Sequence, residues 1–422
     1  MMIFLNLAIK SLKNRAFATT LTVFSIALSV ALFLSVERAQ RAAEEGFTQT
    51  ISKTDLIVGA RSGPLQLILY TVFNIGTPTQ NVSFETYQEI QKHPAVAWTI
   101  PYSLGDSHRG FRVVGTTSDF FKHYHFRGDQ KVSLQSGKEV QGLWDVVVGF
   151  EVARQLGYRL GDSVVIAHGV TKGEGIVHHD HRPFKITGIM APTGTPLDRA
   201  VYISLEGMEA LHMDWQDGAM PVAGKETPTS QIKKENIKID NITSFFIGTK
   251  SRIETLKLQR EINEYQKEPL LAIIPGATLS ELWHSLSYVE NVLRIISWMV
   301  LAVGFMGMLI ALTTTLNERR REMAILRAVG ATPGQIVGLL VFESAVLTVV
   351  GVITGVILSL LLTYSLKPWL QNNFGLYLEG SAIASKELVY IFVAILVGVL
   401  IGLIPALRAQ KQALKDGLSV RV

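Results

Sequence analysis

The chain has 422 residues, of which 48% are hydrophobic and only 18% are charged, whereas an ordinary soluble domain carries roughly 25% charged residues. This composition argues against a purely soluble protein. The sequence has no cysteine, which excludes a disulfide scaffold, a cysteine-ligated zinc or iron–sulfur site and a cysteine nucleophile.

Four membrane spans are predicted from uncharged apolar runs, each long enough to cross about 30 Å of hydrocarbon. The runs cover residues 16–36, 295–317, 344–366 and 388–407. The first run follows Lys10, Lys13 and Arg15 and could instead be a secretory signal, but it is longer than the apolar region of such a signal and no clear cleavage site follows it. We therefore interpret it as a retained anchor, preceded by a short amphipathic helix on the cytoplasmic side.

Basic residues beside the spans set the predicted orientation. Residues 1–15, 318–334 and 408–422 each carry a net positive charge, and short cytoplasmic segments collect Lys and Arg. Both termini are therefore placed in the cytoplasm, with residues 37–294 and the short loop 367–387 outside. Because the excess positive charge of the chain, +5 in total, lies at these membrane edges, it gives no support to nucleic-acid binding.

The exported segment, residues 37–294, is predicted to form a large mixed α/β domain. The fold class is thus an α+β membrane protein with four transmembrane helices, one before the domain and three after it. Short β-branched runs predict strands at residues 111–115, 145–148, 163–167, 184–189 and 200–203. Residues 151–156 fit a helix that stops at Gly157, and the Gly-, Pro- and Thr-rich residues 217–235 predict a loop or a boundary between two lobes.

Two helices are predicted to continue from the membrane into this domain. Residues 37–53 are polar and favour a helix, and residues 278–294 carry leucine and valine at three- and four-residue spacing. The spacing also fits ordinary core packing. Two helices that rise from adjacent spans would form a stalk able to transmit motion.

The segment between the second and third spans, residues 318–334, is named here the coupling segment. Its first part, residues 318–328, is predicted to be a short charged helix that Gly330 stops, with Thr332 and Pro333 starting the next helix. Its apolar side chains could enter a groove on another protein, or its arginines could only fix topology and bind lipid headgroups. The candidate coupling residues are Glu318, Arg319, Arg320, Arg321, Glu322, Met323, Ile325, Leu326 and Arg327.

Three stretches resemble the MacB/FtsX/LolC-type ABC transporter permeases. They are NLAIKSLKNR at residues 6–15; VVVGFEVARQLG at 146–157 with GDS at 161–163, FKITGI at 184–189 and TGTPLD at 193–198; and NERRREMAILRAVGATP at 317–333. The resemblance implies a bacterial inner-membrane location, a MacB-like periplasmic core domain, an FtsX-like transmembrane domain and mechanotransmission. It also implies a dimer with a second permease copy or a paralogue, and a cytoplasmic ABC ATPase subunit that docks on the coupling segment and holds ATP and Mg²⁺.

The sequence itself has no phosphate-binding G-x-x-x-x-G-K-[ST] motif. We therefore expect that this chain binds no nucleotide, is not an enzyme, and resembles the split arrangement in which a separate subunit hydrolyses ATP. Neither G-x-S-x-G nor H-E-x-x-H is present to support another enzymatic activity.

Histidines in the exported segment suggest a zinc hypothesis. The candidate ligands are His178, His179, Asp180 and His181, because imidazole and carboxylate groups suit Zn²⁺. His123 and His125 could lie on one face of a strand, and His168 and His212 could fold nearby. The alternative is that this short histidine run is exposed and has no function. Adjacent residues on an extended chain point in opposite directions, so only a weak or transient site is expected.

An apolar run too short to span the membrane is the candidate surface for cargo or for the outer leaflet. Its residues are Leu65, Leu67, Ile68, Leu69, Tyr70 and Phe73. Packing in the domain core is the alternative. Within the spans, the pairs Gly351 with Gly355 and Gly398 with Gly402 permit close helix approach, either inside one subunit or between subunits.

These observations favour a permease subunit that transmits ATP-driven motion across the inner membrane to a periplasmic lipoprotein, peptide, antibiotic or partner protein. One alternative is a membrane-anchored binding or sensing module for a periplasmic, zinc-bearing partner. Another is an FtsX-like regulator of a cell-wall hydrolase.

Overall fold

The computed structural model describes residues 14–169, 182–214, 227–374 and 384–416, together with their side chains except at residues 230, 317–321, 371–374 and 412–416. The chain divides into two compact units. The membrane unit comprises Met1–Ala42 and Ser287–Val422, and the domain unit comprises Ala43–Leu286.

The helices and strands of the described residues are numbered in chain order. The helices are α1 (Ala16–Thr48), α2 (Pro64–Thr71), α3 (Phe84–Gln91), α4 (Asp119–His123), α5 (Phe150–Leu156), α6 (Leu205–His212), α7 (Arg252–Asn263), α8 (Pro275–Ser285), α9 (Ser287–Ala328), α10 (Pro333–Phe374) and α11 (Ser385–Asp416). Short 3-10 turns occupy Pro196–Arg199, Thr229–Gln231 and Lys234–Asn236.

The strands are β1 (Leu56–Ala60), β2 (Val82–Ser83), β3 (Val96–His108), β4 (Phe111–Thr116), β5 (His125–Phe126), β6 (Gln130–Lys131), β7 (Leu134–Gly137), β8 (Asp145–Val148), β9 (Ser163–Val164), β10 (Phe184–Met190), β11 (Ala200–Ser204), β12 (Asn241–Ile242), β13 (Ser244–Thr249) and β14 (Leu270–Ile273).

Four helices of the described chain are long and apolar enough to cross a membrane. They are Ala16–Thr48, Ser287–Leu316, Pro333–Leu370 and Ser385–Lys411. The predicted fold class, with one such helix before a mixed α/β domain and three after it, is confirmed. The polar continuation of the first span is helical as predicted, since α1 runs unbroken to Thr48. The continuation before the second span is not one helix, because α8 ends at Ser285 and α9 starts at Ser287.

A ten-stranded sheet forms the centre of the domain unit, in the order β14-β1-β13-β3-β4-β11-β8-β10-β7, with β9 paired to β10. Two of its pairs, β4 with β11 and β8 with β10, are parallel, and the other pairs are antiparallel. The predicted division into two lobes stays a prediction, because residues 217–226 lie outside the described residues, but one sheet includes strands from both sides of that segment. Strand β13, which follows residues 217–235 in the chain, inserts between β1 and β3.

Apolar side chains cover both faces of the sheet. All five residues of β1 and of β11 are buried, as expected for strands packed on both sides. Tyr202 of β11 belongs to the core on one face, with Tyr102 and Phe246, whereas its neighbours Val201 and Ile203 belong to the core on the other. This alternation follows the two-residue period of a strand.

The hairpin between β3 and β4 is distorted where it approaches its turn. The two turn residues, Arg109 and Gly110, have φ values of 49° and 89°, as a tight two-residue hairpin requires. Before the turn, Leu104 pairs with Val114 and Ser107 pairs with Arg112, so that Gly105 and Asp106 together oppose one residue of β4. Such a bulge redirects the side chains that it carries.

The sequence located four of the five predicted strands correctly to within one residue. The fifth, at 163–167, is shorter than expected, because β9 ends at Val164. Beyond it, Ala167 forms an isolated bridge with Ser107 of β3. The predicted helix at 151–156 is α5, and Gly157 caps it in the left-handed conformation, at φ 70°.

Candidate functional site: the coupling segment and its helices

The coupling segment is the end of a long helix and not a separate short one, contrary to the prediction. Residues 318–328 continue α9 without a break, in a helix of 42 residues. The helix stops in the manner that the sequence predicted. Gly330 has a φ of 101°, its N–H donates to the carbonyl of Arg327 at 2.9 Å, and the N–H of Ala331 donates to Leu326 at 3.0 Å. This pair of bonds is a Schellman cap, and α10 starts three residues later at Pro333.

The exposed apolar face of the coupling segment differs from the predicted one. Met323 packs inward against a cluster of Leu316, Ile336, Leu340, Ala406 and Ala409. Ile325 is 57% exposed and Val329 is 84% exposed, one helical turn apart. Leu326 is half-buried. The available apolar surface is therefore the pair Ile325 and Val329, and the sequence analysis did not include Val329.

The structure describes the side chains of some polar residues of the coupling segment and only the backbone of others. The backbone of Glu318, Arg319, Arg320 and Arg321 lies in α9, and their side chains are outside the described part of the chain. The carboxylate of Glu322 lies 3.7 Å from Arg15, which also donates to the carbonyl of Thr315 at 3.1 Å. Arg15 immediately precedes α1, so these contacts connect the cytoplasmic ends of α1 and α9. Arg327 is half-buried.

At the other end of the membrane unit lies an ion cluster, formed by Arg38, Arg41, Ser359 and Glu387. Glu387 is 1% exposed and accepts hydrogen bonds from Arg38, the shortest at 2.8 Å, while Arg41 lies 3.2 Å away. Arg38 also donates to Ser359 at 3.2 Å. The cluster joins α1, α10 and α11. The sequence analysis did not identify it, although an acidic residue directly before an apolar run is a recognisable signal.

Small residues hold the membrane helices together within one subunit. A Cβ on Gly351 would come within 2.8 Å of Ile26, and one on Gly355 within 2.7 Å of the backbone oxygen of Ala27, so α10 presses on α1 at both positions. Gly398 and Gly402 of α11 press in the same way on Thr348 and Ser344 of α10. The interpretation as packing inside the subunit is the one that these contacts support.

The apolar run at residues 65–73 is mostly in the core. Leu67, Ile68 and Tyr70 are buried in α2, and Leu69 and Phe73 are half-buried. Of this run, only Leu65 is exposed, at 44%, so its burial favours the alternative of packing in the domain core, and contact with cargo or the outer leaflet stays a prediction. Helical periodicity turns one side of α2 onto the sheet.

This helix contributes to an aromatic joint, formed by Phe47, Phe73 and Trp283. Phe47 stacks on Phe73 with ring centroids 4.9 Å apart and contacts Trp283 at 5.4 Å. Phe47 lies near the end of α1, and Trp283 lies in α8, which leads to α9. Leu279 of α8 is buried in the same core as α2. Both helices that lead toward the membrane spans are thus fixed to the core of the domain unit.

The histidines fall into three groups. His178, His179, Asp180 and His181 lie outside the described residues. His123 and His125 do not share a strand face, because His123 ends α4, where it stacks on Trp98 with centroids 5.0 Å apart, and His125 lies in β5. His168 and His212 do meet, with Nδ1 of His168 3.1 Å from Nε2 of His212. Asp106, which the sequence analysis did not identify, lies beside both.

Two family profiles match the chain. The profile described as the MacB-like periplasmic core domain matches residues 19–262, and that described as the FtsX-like permease C-terminal matches residues 294–414. The first match covers more than half of the chain and the second covers most of the remainder.

The chain is similar to several relatives and solved structures. The lipoprotein-releasing system transmembrane protein LolC of Xylella fastidiosa strain 9a5c is 20% identical over 226 residues, 54% of this chain and 49% of the relative. The macrolide export ATP-binding/permease protein MacB of Aggregatibacter actinomycetemcomitans is 20% identical over 334 residues, 74% of this chain and 48% of the relative. The chain therefore spans about half the length of these relatives.

The periplasmic region of MacB from Actinobacillus actinomycetemcomitans aligns with a TM-score of 0.34 at 10% identity, over 55% of this chain and 94% of that structure. The extracellular domain of the transporter YknZ from Gram-positive bacteria aligns with a TM-score of 0.30 at 12% identity, over 52% of this chain and 99% of that structure.

Proposed function

Because the chain belongs to the ABC transporter permeases of the MacB, LolC and FtsX type, we propose that it transmits motion from a cytoplasmic ATPase subunit to its own periplasmic domain. As a member of this family it is a multi-pass inner-membrane protein with a periplasmic domain. Permeases of this family are components of ABC transporters and are not catalytic themselves. In our proposal ATP and Mg²⁺ are bound by the partner subunit.

The observation that carries the proposal is the continuity of α9. This helix runs for 42 residues from Ser287 to Ala328, a length of about 60 Å at 1.5 Å per residue. Its cytoplasmic end carries Ile325, and Val329 follows directly after the helix. A rigid helix with an exposed apolar pair at one end can pass a displacement at that end along its whole length.

The domain unit can receive such a displacement at the aromatic joint. Trp283 of α8 and Phe47 of α1 contact each other, and Phe47 stacks on Phe73 beside the main core. A movement of α8 or of the end of α1 therefore acts on α2 and on the sheet. We place a hinge at Leu286, because this residue lies between the end of α8 at Ser285 and the start of α9 at Ser287.

The exposed pair Ile325 and Val329 is the surface that we assign to the ATPase subunit. The membrane unit also exposes apolar side chains along α9, among them Met299, Val303 and Ile310, which suit lipid or a second permease copy. We propose a dimer of permease chains with its ATPase subunits. In this proposal the cargo is the molecule that the periplasmic domain contacts as it moves.

The test is a double substitution on the exposed pair, Ile325→Asp with Val329→Asp, in the complete complex reconstituted in nanodiscs. In our proposal the ATPase subunit buries these two apolar side chains when it docks, and the substitutions place charges there. We therefore expect that the ATPase subunit no longer copurifies, or that permease-stimulated ATP hydrolysis falls at least tenfold. The matched control is Ile253→Asp with Leu256→Asp, an apolar pair on α7 of the domain unit that is 72% and 61% exposed. This control should bind and stimulate the ATPase as the parent does.

If the first variant is folded and keeps a bound, fully stimulated ATPase, the coupling assignment is wrong. A membrane-anchored binding module would then be the better description of the protein.

A further inference from the structure

Three potential metal ligands from distant parts of the sequence meet in the domain unit. Asp106 lies in β3, His168 follows the Ser107–Ala167 bridge, and His212 is the last residue of α6. Their ligand atoms all lie within 4.8 Å of one another. This cluster is remote in sequence from the coupling segment and has no part in the function proposed above.

The distances within the cluster are those between the ligands of one small ion. The two imidazole nitrogens, Nδ1 of His168 and Nε2 of His212, are 3.1 Å apart. Oδ1 of Asp106 is 3.3 Å from the first, and its Oδ2 is 3.3 Å from the second. A tetrahedral Zn²⁺ with bonds of about 2.0–2.1 Å holds its ligand atoms roughly 3.4 Å apart. Each of the three contacts is within a few tenths of an ångström of that separation, two of them made by different oxygens of Asp106, and the ligand atoms all lie within 4.8 Å of one another.

The carboxylate is built into the fold and aimed at the histidines. Asp106 is 3% exposed and belongs to the bulge of β3 that redirects its side chain. The backbone N–H of Gly169 donates to its Oδ1 at 3.3 Å. Ser107 and Ala167 exchange backbone hydrogen bonds of 3.0 and 2.8 Å, and Ser107 Oγ donates to the carbonyl of Gly169 at 2.6 Å. These bonds hold the backbone on which Asp106 and His168 lie.

A backbone hydrogen bond fixes the orientation of the His212 ring. A hydrogen bond between this ring and the backbone of Met208, one turn earlier in α6, leaves Nε2 directed at Asp106. An imidazole that donates one N–H to a backbone carbonyl is the usual arrangement for a metal ligand. Nε2 of His212 lies 3.3 Å from Oδ2 of Asp106, so the ring faces the buried carboxylate.

Access to the cluster is from the histidine side. The side chain of His168 is 46% exposed and that of His212 is 30% exposed, whereas Asp106 forms the buried floor. Arg112, on the adjacent strand β4, donates to the carbonyl of Gly105 at 3.1 Å and to that of Gly76, and its positive charge also interacts with Asp106. Because the side chains of both histidines are accessible, an ion can enter from solvent on their side and reach the buried carboxylate.

We propose that Asp106, His168 and His212 bind a divalent transition-metal ion, Zn²⁺ in particular, and leave one coordination position open to water or to an external ligand. Imidazole and carboxylate groups are ligand types that Zn²⁺ takes in proteins, and three protein ligands with one open position are typical of zinc sites that bind water or an external ligand. The ion would join β3, the segment after β9, and α6. It gives the periplasmic domain a metal-dependent contact for a partner or cargo that carries its own ligand.

The experiment is a Zn²⁺ titration of the full-length protein in nanodiscs, purified without a histidine tag and stripped of metal, in competition with a chromogenic chelator. The parent should bind one equivalent per chain with a dissociation constant in the micromolar range or below. The double variant His168→Ala with His212→Ala should bind at least 100-fold more weakly, and Asp106→Asn at least tenfold more weakly. Added Zn²⁺ should raise the melting temperature of the parent and leave that of the double variant unchanged.

Two further variants test whether Zn²⁺ binds at this cluster and not at other histidines of the chain. His93→Ala removes an exposed histidine that pairs with Glu261 at 3.2 Å, and it should bind Zn²⁺ as the parent does. The triple variant His178→Ala, His179→Ala and His181→Ala tests the histidine run of the sequence and should keep binding at the proposed site. Both histidines of the double variant are accessible to solvent, so that protein should fold, and its metal-free melting temperature verifies this. Unchanged affinity in the double variant, or loss in the triple variant alone, would overturn the proposal.

Discussion

The two ends of the membrane unit carry the same kinds of charged residues in opposite surroundings. At the periplasmic end, Glu387 is almost fully buried and holds two arginines at 2.8 and 3.2 Å. At the cytoplasmic end, Glu322 is largely exposed and lies 3.7 Å from Arg15. A buried ion pair is costly to break, whereas an exposed pair contributes little.

The packing of α10 also varies along its length. In the middle of α10, Gly351 and Gly355 press on α1, but a Cβ at Gly334 or Gly338, in the first turns at the cytoplasmic end, would meet no atom within 4 Å. A ring cluster of Phe33, Trp298 and Tyr390 also joins α1, α9 and α11 toward the periplasmic end. Ion pairs and ring contacts therefore join the helices at the periplasmic end, whereas apolar packing around Leu316 and Met323 joins α9, α10 and α11 at the cytoplasmic end, where we place the ATPase subunit.

The largest expected effect comes from Glu387→Gln. The substitution removes the only negative charge of the ion cluster and leaves Arg38 and Arg41 without their partner, at a cost of about 3 kcal/mol in unfolding free energy. The matched control, Glu322→Gln, should cost less than about 1 kcal/mol. Thermal unfolding of both variants in nanodiscs measures the difference. Equal melting temperatures of the two variants would show that the buried ion cluster contributes no more to the stability of the protein than the exposed pair does.

A smaller effect is expected from Gly355→Ala. The new methyl group would lie 2.7 Å from the backbone oxygen of Ala27, which cannot rotate away, so α1 and α10 must separate. We expect a loss of about 2 kcal/mol. Gly338→Ala, in the same helix, should be neutral or stabilising by up to about 1 kcal/mol. If both variants unfold at the same temperature, the close approach of α10 to α1 is not a source of stability.

The smallest effect is expected from Phe33→Leu. This change keeps an apolar side chain but removes edge-to-face contacts with Trp298 at 5.0 Å and with Tyr390 at 5.3 Å, for a loss of about 1 kcal/mol. Phe24→Leu alters an exposed phenylalanine on the same helix and is the control. A loss of stability in the control as large as in Phe33→Leu would mean that lipid contacts, and not the ring cluster, are responsible.

Much of the fold could be predicted because it depends on local patterns. Apolar runs of about 20 residues locate the four spans, and the β-branched runs between Gly, Pro and Asp locate strands such as β8 and β10. The Schellman cap at Gly330 follows from glycine alone. Register and long-range pairing are not local, so the sequence did not show that β13 inserts between β1 and β3 and makes the sheet continuous.

The candidate sites show the same limit. The orientation of Met323 and Val329 depends on where α10 and α11 pack against the end of α9, which no local pattern gives. Leu67 and Ile68 are as apolar as membrane-facing residues and are buried only because α2 lies on the sheet. Asp106 is a single acidic residue in a strand, and the bulge that aims it at His168 and His212 arises from the pairing of β3 with β4.

The most direct test of the proposed coupling is a distance measurement by pulsed electron paramagnetic resonance. The sequence has no native cysteine, so spin labels can be attached to Ile253→Cys in the domain unit and Tyr364→Cys in the membrane unit, both at exposed positions. We predict that ATP binding by the complete complex shifts the distance distribution between the labels, and that Ile325→Asp with Val329→Asp abolishes the shift. An unchanged distribution in a complex with a bound, active ATPase would contradict transmission of motion through this chain.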